Sequence, residues 1–368
     1  MLKRIIKIIS LIKYRKLFLN GATYYKDEEL KTMLEVFKDQ IYFILKYGNY
    51  EPYYFSYGFD RKSMTLDKIC KEFIIPYHKF QDKIDRLNTI TPKYGKYNSR
   101  SIISDKFYFN IFLEKLNIPT PKILMYIKDG EILFADERYH KVTYSRNIED
   151  ELKLFFANDM DVFAKPSDGQ YGNGIFSLLI ENGNVYIKNK LSDINHLIDL
   201  ITKGNYLIQK RVVQHPLISA FCSTTLNSIR LQTVMSKDGE VIPFGAGLRI
   251  GREGSDVDNW AKGGVYVGID METGRLRKKG FLKIGYGTTC EEHPDSHITF
   301  ENFEIPFFEE AVKLSVKLHK LMYRCHSIGW DIAITENGPV FIEGNSLWQL
   351  SLVQTGNGGM KHIEKYFN

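Results

Sequence analysis

A chain of 368 residues can bury a sizeable core and has room for two or three subdomains. Its 43% apolar and 26% charged content is that of an ordinary globular protein, and no run approaches the roughly 18 uncharged apolar residues that a membrane-spanning helix needs. Lys and Arg number 50 against 44 Asp and Glu, and residues 1–20 hold Lys3, Arg4, Lys7, Lys13, Arg15 and Lys16 with no acid. The rest of the chain is therefore neutral, which argues against nucleic acid as a partner, since that would require basic groups spread over one face.

In chain order, Leu2, Ile5, Ile6, Ile9 and Ile12 recur at helical spacing with cations between them. Two readings stay open for this segment: a first helix packed on the body, or a basic amphipathic helix in peripheral contact with an anionic membrane surface. Residues 1–95 read as mainly helical, with a Tyr-rich stretch at Tyr50–Tyr57 that carries no functional signal. Thr91–Ser101, rich in Pro, Gly, Asn and Ser, reads as a boundary. Ser104 is the expected cap of a helix from Asp105 to Leu116, which ends before Ile118-Pro119.

From there strands dominate. Lys122–Ile127 and Glu131–Phe134 form a predicted hairpin across Asp129-Gly130, and Glu149–Asn158 reads as a helix. Val162–Lys165 and Ile175–Ile180 read as strands around a glycine-rich loop, followed by a strand at Val185–Ile187, a helix over Leu191–Thr202 and a strand at Tyr206–Lys210. Residues 227–250 give two strands joined at Asp238-Gly239, and Val265–Asp270 pairs with Leu276–Phe281. Phe307–Arg324 is a long helix and Lys361–Phe367 a short closing one. Strands joined by hairpin turns indicate an α+β fold with antiparallel sheets. Cys70, Cys222, Cys290 and Cys325 are scattered, which fits reduced thiols in the cytoplasm.

The strongest chemistry lies in Gly329–Thr335 and Pro339–Asn345, two strand-like runs meeting at a tight turn. A buried carboxylate needs a partner, so Asp331, Glu343 and Asn345 call for a cation, and oxygen ligands of this type suit Mg²⁺. A three-residue loop, Glu336-Asn337-Gly338, pairs Thr335 with Pro339 and Asp331 with Glu343, with Gly338 left-handed and Asn345 on the same face. The alternative is a plain hairpin with solvated acids.

Lys165 stands before a loop holding Ser167, Gly169, Gly172 and Gly174, whose backbone N–H groups suit phosphate oxygens unless the loop is a simple turn. Lys106, at a helix start, is a second phosphate candidate. The strand carrying Gln209, Lys210 and Val212 can offer an edge to an adenine ring. Arg230 and Arg249 lie on successive strands and suit oxyanions if they point inward. Asp258–Gly264 adds Asn259, Lys262 and a paired glycine turn.

Taken as an ordered set from Lys106 to Asn345, these motifs resemble the ATP-grasp superfamily. The wording of Asn227–Arg230, Asp258–Gly264 and Gly329–Asn345 is most similar to its sugar-transfer-associated branch, which accompanies bacterial surface-polysaccharide genes. The resemblance implies ATP held between two α+β lobes, residues 96–210 and 211–368, after a helical region at 1–95. It implies Lys106 and Lys165 on the α- and β-phosphates and Ser167–Gly174 as a lid. Gln209, Lys210 and Val212 would meet the adenine, and His215 is the nearest candidate for the ribose. Asp331, Glu343 and Asn345 would carry Mg²⁺. Arg230 and Arg249 would face the transferring phosphoryl group, and Asn259 and Lys262 the acceptor. Two departures stand out: no recognisable N-terminal lobe in residues 1–95, and no acidic ribose contact after the hinge.

The implied chemistry is ATP-driven joining of a small carboxylate to an amine, with one partner sugar-linked, in the cytoplasm or at the inner face of the membrane. A hydroxyl kinase on the same scaffold and a nucleotide-binding scaffold without turnover are the alternatives.

Overall fold

The computed structural model describes residues 2–13, 23–89, 100–136, 147–167, 174–255, 257–283, 286–322 and 325–368. The Thr91–Ser101 boundary therefore lies almost wholly outside the described residues, as do Gly169 and Gly172.

Two seven-stranded antiparallel sheets form the body. The strands of the first are β1 (Ile123–Lys128), β2 (Glu131–Ala135), β3 (Met160–Pro166), β4 (Phe176–Glu181), β5 (Asn184–Ile187), β6 (Lys190–Ser192) and β7 (Tyr206–Lys210), in the order β2-β1-β7-β3-β4-β5-β6. Those of the second are β8 (Ser228–Met235), β9 (Val241–Ile250), β10 (Val265–Ile269), β11 (Leu276–Leu282), β12 (Thr289–Cys290), β13 (Ser327–Thr335) and β14 (Gly338–Asn345), in the order β12-β11-β10-β9-β8-β13-β14. Each sheet has its own apolar core. Helices Ile148–Phe155 and Ile194–Thr202 cover the first through Leu152, Phe155, Leu197 and Ile201. Helix Phe308–Leu321 covers the second through Ala311 and Leu318, beneath Trp330, Ile332 and Phe341.

Three expectations need correction. Helix Lys106–Lys115 is capped by Asp105, not Ser104: the Asp105 carboxylate accepts from the N–H groups of Phe107 and Tyr108 at 2.9 and 3.1 Å. Leu191 lies in β6, and the following helix starts at Ile194 behind an Asp193 cap. The turn between β13 and β14 is one residue shorter than expected, with Thr335 opposite Gly338 and Ile334 opposite Pro339.

The register nonetheless returns. A bulge at Ile342 inserts one residue between the Ile332–Phe341 and Asp331–Glu343 pairs, so Asp331 does face Glu343 and Gly329 faces Asn345. Trp330, on the opposite face, is fully buried, and its indole N–H donates to Thr233 at 2.9 Å. A one-residue slip would move Trp330 out of the core, so burial fixes which face Asp331 occupies.

The N-terminal region is helical, over Leu2–Lys13, Met33–Tyr47, Leu66–Glu72 and Tyr77–Thr89. The Tyr-rich stretch is its core: Tyr54, Tyr57 and Phe59 pack with Phe43, Ile69 and Phe73. This region also braces the hairpin. The buried Asn88 amide donates to the carbonyls of Ser327 and Ser346, and its oxygen accepts from the N–H groups of His326 and Ser327. Those bonds hold the start of β13 and the residue after β14.

Candidate active site

Sheet geometry alone builds a charged row across the second sheet. Arg230 on β8 is the cross-strand neighbour of Asp331 on β13, and Asp331 is the neighbour of Glu343 on β14. Gly247 completes the row on β9, where a side chain would collide with the Tyr266 ring at 2.2 Å. Arg249 lies two residues further along β9, on the same face, and reaches Asp331 diagonally.

Asp331 is almost fully buried, and two guanidiniums share its carboxylate. Arg230 donates through Nε to Oδ1 and through Nη2 to Oδ2 at 3.0 Å, and Arg249 Nη2 donates to Oδ2 at 2.9 Å. Burial pushes the Asp331 carboxyl up, but the two arginines together outweigh it and bring the group below the ordinary aspartate value. Glu343 goes the other way: burial and the facing Asp331 carboxylate raise it, against the pull of Lys106 and Arg230. The amide of Asn345 lies 3.4 Å from the Glu343 carboxylate.

Glu343 is half-buried at the end of the row, its carboxyl raised first by burial and then by the facing Asp331. Two carboxylates and an amide, all oxygen donors on one hairpin, fit a hard divalent cation such as Mg²⁺. Among the described residues no group of three or more His, Cys, Asp and Glu gathers.

These groups line one cavity of about 440 Å³ shared by both sheets. The first sheet contributes Phe163, Lys165, Gln209 and Lys210, and the helix start contributes Lys106. Burial lowers the Lys165 ammonium to about 8; Lys106 pushes the same way and Glu343 opposes it. Gln209 is buried, and its amide N–H₂ donates to Asn110 at 3.1 Å and to the Pro121 carbonyl at 3.3 Å, so it ties the Lys106 helix to the sheet. Val212 and Asn259 also line the cavity. Asn259 caps a single turn, accepting from the Ala261 N–H at 2.8 Å.

The remaining candidates fall elsewhere. Lys262 is exposed and outside the cavity lining, because the turn that Asn259 caps points it outward. His215 is a helix cap, its Nδ1 accepting from the Leu217 N–H at 3.2 Å, and it too lies outside the lining. Ser167 is buried with its hydroxyl 3.5 Å from that of Tyr126. Gly174 has a left-handed backbone (φ 76°), and a side chain there would meet Pro166 at 2.8 Å.

Two lining residues escaped sequence reasoning. Asp258 is buried, accepts from the Ser228 hydroxyl at 2.5 Å and lies 3.5 Å from Arg249 Nε. Ser228 in turn accepts from Arg249 Nη2 at 2.7 Å. Arg249 is thus fixed between two acids. The adjacency of Asp258 to Asn259 in an acceptor-side segment was the signal available.

A lysine-bearing sheet facing a sheet with a buried arginine–carboxylate row is the arrangement of a nucleotide-dependent enzyme of the ATP-grasp type. The sequence matches the model of the family described as sugar-transfer associated ATP-grasp over residues 86–365, and the chain belongs to that family. No curated protein matches the sequence. Among solved structures it is similar to D-alanyl-alanine synthetase A of Vibrio cholerae O1 biovar eltor, with 11% identity and a TM-score of 0.41, covering 72% of this chain and 61% of that one. It is also similar to N5-carboxyaminoimidazole ribonucleotide synthetase of Thermotoga maritima (11%, TM-score 0.36, covering 72% and 48%). A third is the biotin carboxylase domain of Hydrogenobacter thermophilus 2-oxoglutarate carboxylase (15%, TM-score 0.37, covering 70% and 46%). The chain thus spans about half to three-fifths of the length of these proteins.

Proposed function

We propose that the chain is an ATP- and Mg²⁺-dependent carboxylate–amine ligase that attaches an amino acid or other amine to a sugar-linked acid, working in the cytoplasm at the inner face of the membrane. One observation carries this reading: a single cavity gathers Lys106, Lys165, Arg230, Arg249, Asp331, Glu343 and Asn345 from two sheets and the start of one helix. The grasp lobes are residues 96–210 and 211–368, preceded by the helical region 1–95.

Lys106 and Lys165 hold the α- and β-phosphates. Gln209, Lys210 and Val212 border the adenine. Asp331, Glu343 and Asn345 hold Mg²⁺, which supplies charge neutralisation where a carboxylate meets a triphosphate. A substrate carboxylate oxygen attacks the γ-phosphorus, the bond to the β-phosphate oxygen breaks, and ADP leaves. The amine nitrogen then attacks the acyl carbon, phosphate departs, and the amine gives up a proton. Arg230 and Arg249 face the phosphoryl oxygens, where fixed cations favour the charge that develops. Asn259 borders the acceptor.

The test is ADP release by the purified chain across paired panels of sugar acids and amines. Release that needs both partners, with an amide in the product, supports the ligase. A phosphate ester formed on a hydroxyl would make the chain a kinase instead, and no turnover with any pair would make it a scaffold.

A further inference from the structure

The first helix, Leu2–Lys13, wears its apolar side outward. Ile5, Ile6 and Ile9 are 46%, 55% and 59% exposed, whereas Leu11 is 2% exposed and the Lys7 ammonium donates to the Gly48 carbonyl at 2.8 Å. Positions 5, 6 and 9 share one side of a helix, and positions 7 and 11 share the other. The body therefore holds this helix by its Lys7–Leu11 side, against the helix Met33–Tyr47, and leaves an isoleucine stripe in water.

An apolar stripe usually faces a core, and one that does not marks an interaction surface. Its occupant is identified by charge. Every cation in excess of neutrality lies in residues 1–20, without one acid, and Arg4 beside the stripe is exposed. A second copy would bring two such cationic segments together, which like charges oppose. An anionic lipid surface offers both an apolar layer and fixed negative charge, and the helix, about 18 Å long, lies flat on it rather than crossing. No described helix is long and apolar enough to cross a membrane.

We propose that Ile5, Ile6 and Ile9 insert into the headgroup region of an anionic bilayer while Arg4 beside them contacts lipid phosphates. The proposal rests on the membrane-side location given above and not on the ligase chemistry.

The test uses the full chain, sedimented with phosphatidylcholine vesicles and with phosphatidylcholine–phosphatidylglycerol vesicles. It is run for the unaltered protein and for the triple variant Ile5→Ser, Ile6→Ser, Ile9→Ser, with light scattering and nucleotide binding measured on both. The expected result is binding to the anionic vesicles only, reduced about tenfold or more in the variant and at about 1 M salt. The variant keeps its fold and its nucleotide affinity, because the three side chains contribute little to the core. Absence of vesicle binding, equal binding by the variant, or equal binding to neutral vesicles overturns the proposal. A dimer that becomes a monomer in the variant overturns it in favour of a second copy. None of these outcomes touches the ligase reading, which nucleotide binding and ADP release test separately.

Discussion

Two regions of the molecule each bury a carboxylate completely, and they treat it in opposite ways. In the helical N-terminal region, Glu51 accepts from the backbone N–H groups of Tyr53 and Tyr77, at 3.0 and 2.8 Å, and burial pushes its carboxyl up to about 8. In the second sheet, Asp331 is buried as deeply but has two guanidiniums, and it is held below its ordinary value. Burial alone neutralises an acid, and cations placed by strand register keep one charged. The first arrangement serves the packing of helices. The second keeps charge inside a cavity, where it can meet a metal ion and a phosphate.

The largest test of that contrast is Asp331→Ala. It leaves Arg230 and Arg249 buried without their shared partner, and should cost about 3–5 kcal/mol of unfolding free energy in a urea titration. A change near zero would mean that the guanidiniums find other acids, Asp258 first among them, and that the row is not the organising feature of the sheet.

On the first sheet, Lys165→Met should weaken nucleotide binding by about 1.5–3 kcal/mol, or roughly ten- to hundredfold in Kd. The pH dependence follows from the lowered ammonium. Nucleotide affinity should hold below about pH 8 and fall above it as Lys165 loses its proton, and Lys165→Arg should abolish the fall. Calorimetric titration across that range measures both.

A smaller effect is expected at Glu51. The unfolded chain ionises this group near the ordinary glutamate value, and the folded chain ionises it near 8. Between those values the folded state holds the extra proton. Its contribution to stability is therefore greatest at the acidic end and declines as pH rises to about 8, by at most about 1.4 kcal/mol per pH unit. Glu51→Gln should flatten the decline while leaving ADP release unchanged. An unaltered pH profile would show that Glu51 does not titrate in this window.

Much of this architecture was legible in the sequence because alternation and turn residues mark strands locally. β7 was read to the residue, and the β1–β2 and β8–β9 hairpins were placed by their Asp-Gly turns. What failed depends on contacts between distant segments. The bulge at Ile342 has no sequence mark, so a pairing that depends on it was reached through a turn of the wrong length. The helix Leu350–Asn357 was missed because no side chain caps it, and its packing against β9 and β10 holds it instead. His215 looked like a ribose contact from its position after the hinge strand, yet its ring is spent on a helix N-terminus. Asp258 and Asn88 act through partners some 30 and 240 residues away, a distance that no local pattern reports.

The central claim is that Asp331, Glu343 and Asn345 hold a divalent ion beside a nucleotide. It is tested most directly by calorimetric titration of Mn²⁺ into the chain saturated with a non-hydrolysable ATP analogue, for the unaltered protein and for Glu343→Gln and Asn345→Ala. The account predicts one ion-binding event that each variant weakens by about tenfold or more while the urea midpoint stays in place. Equal ion affinity in all three proteins would contradict it.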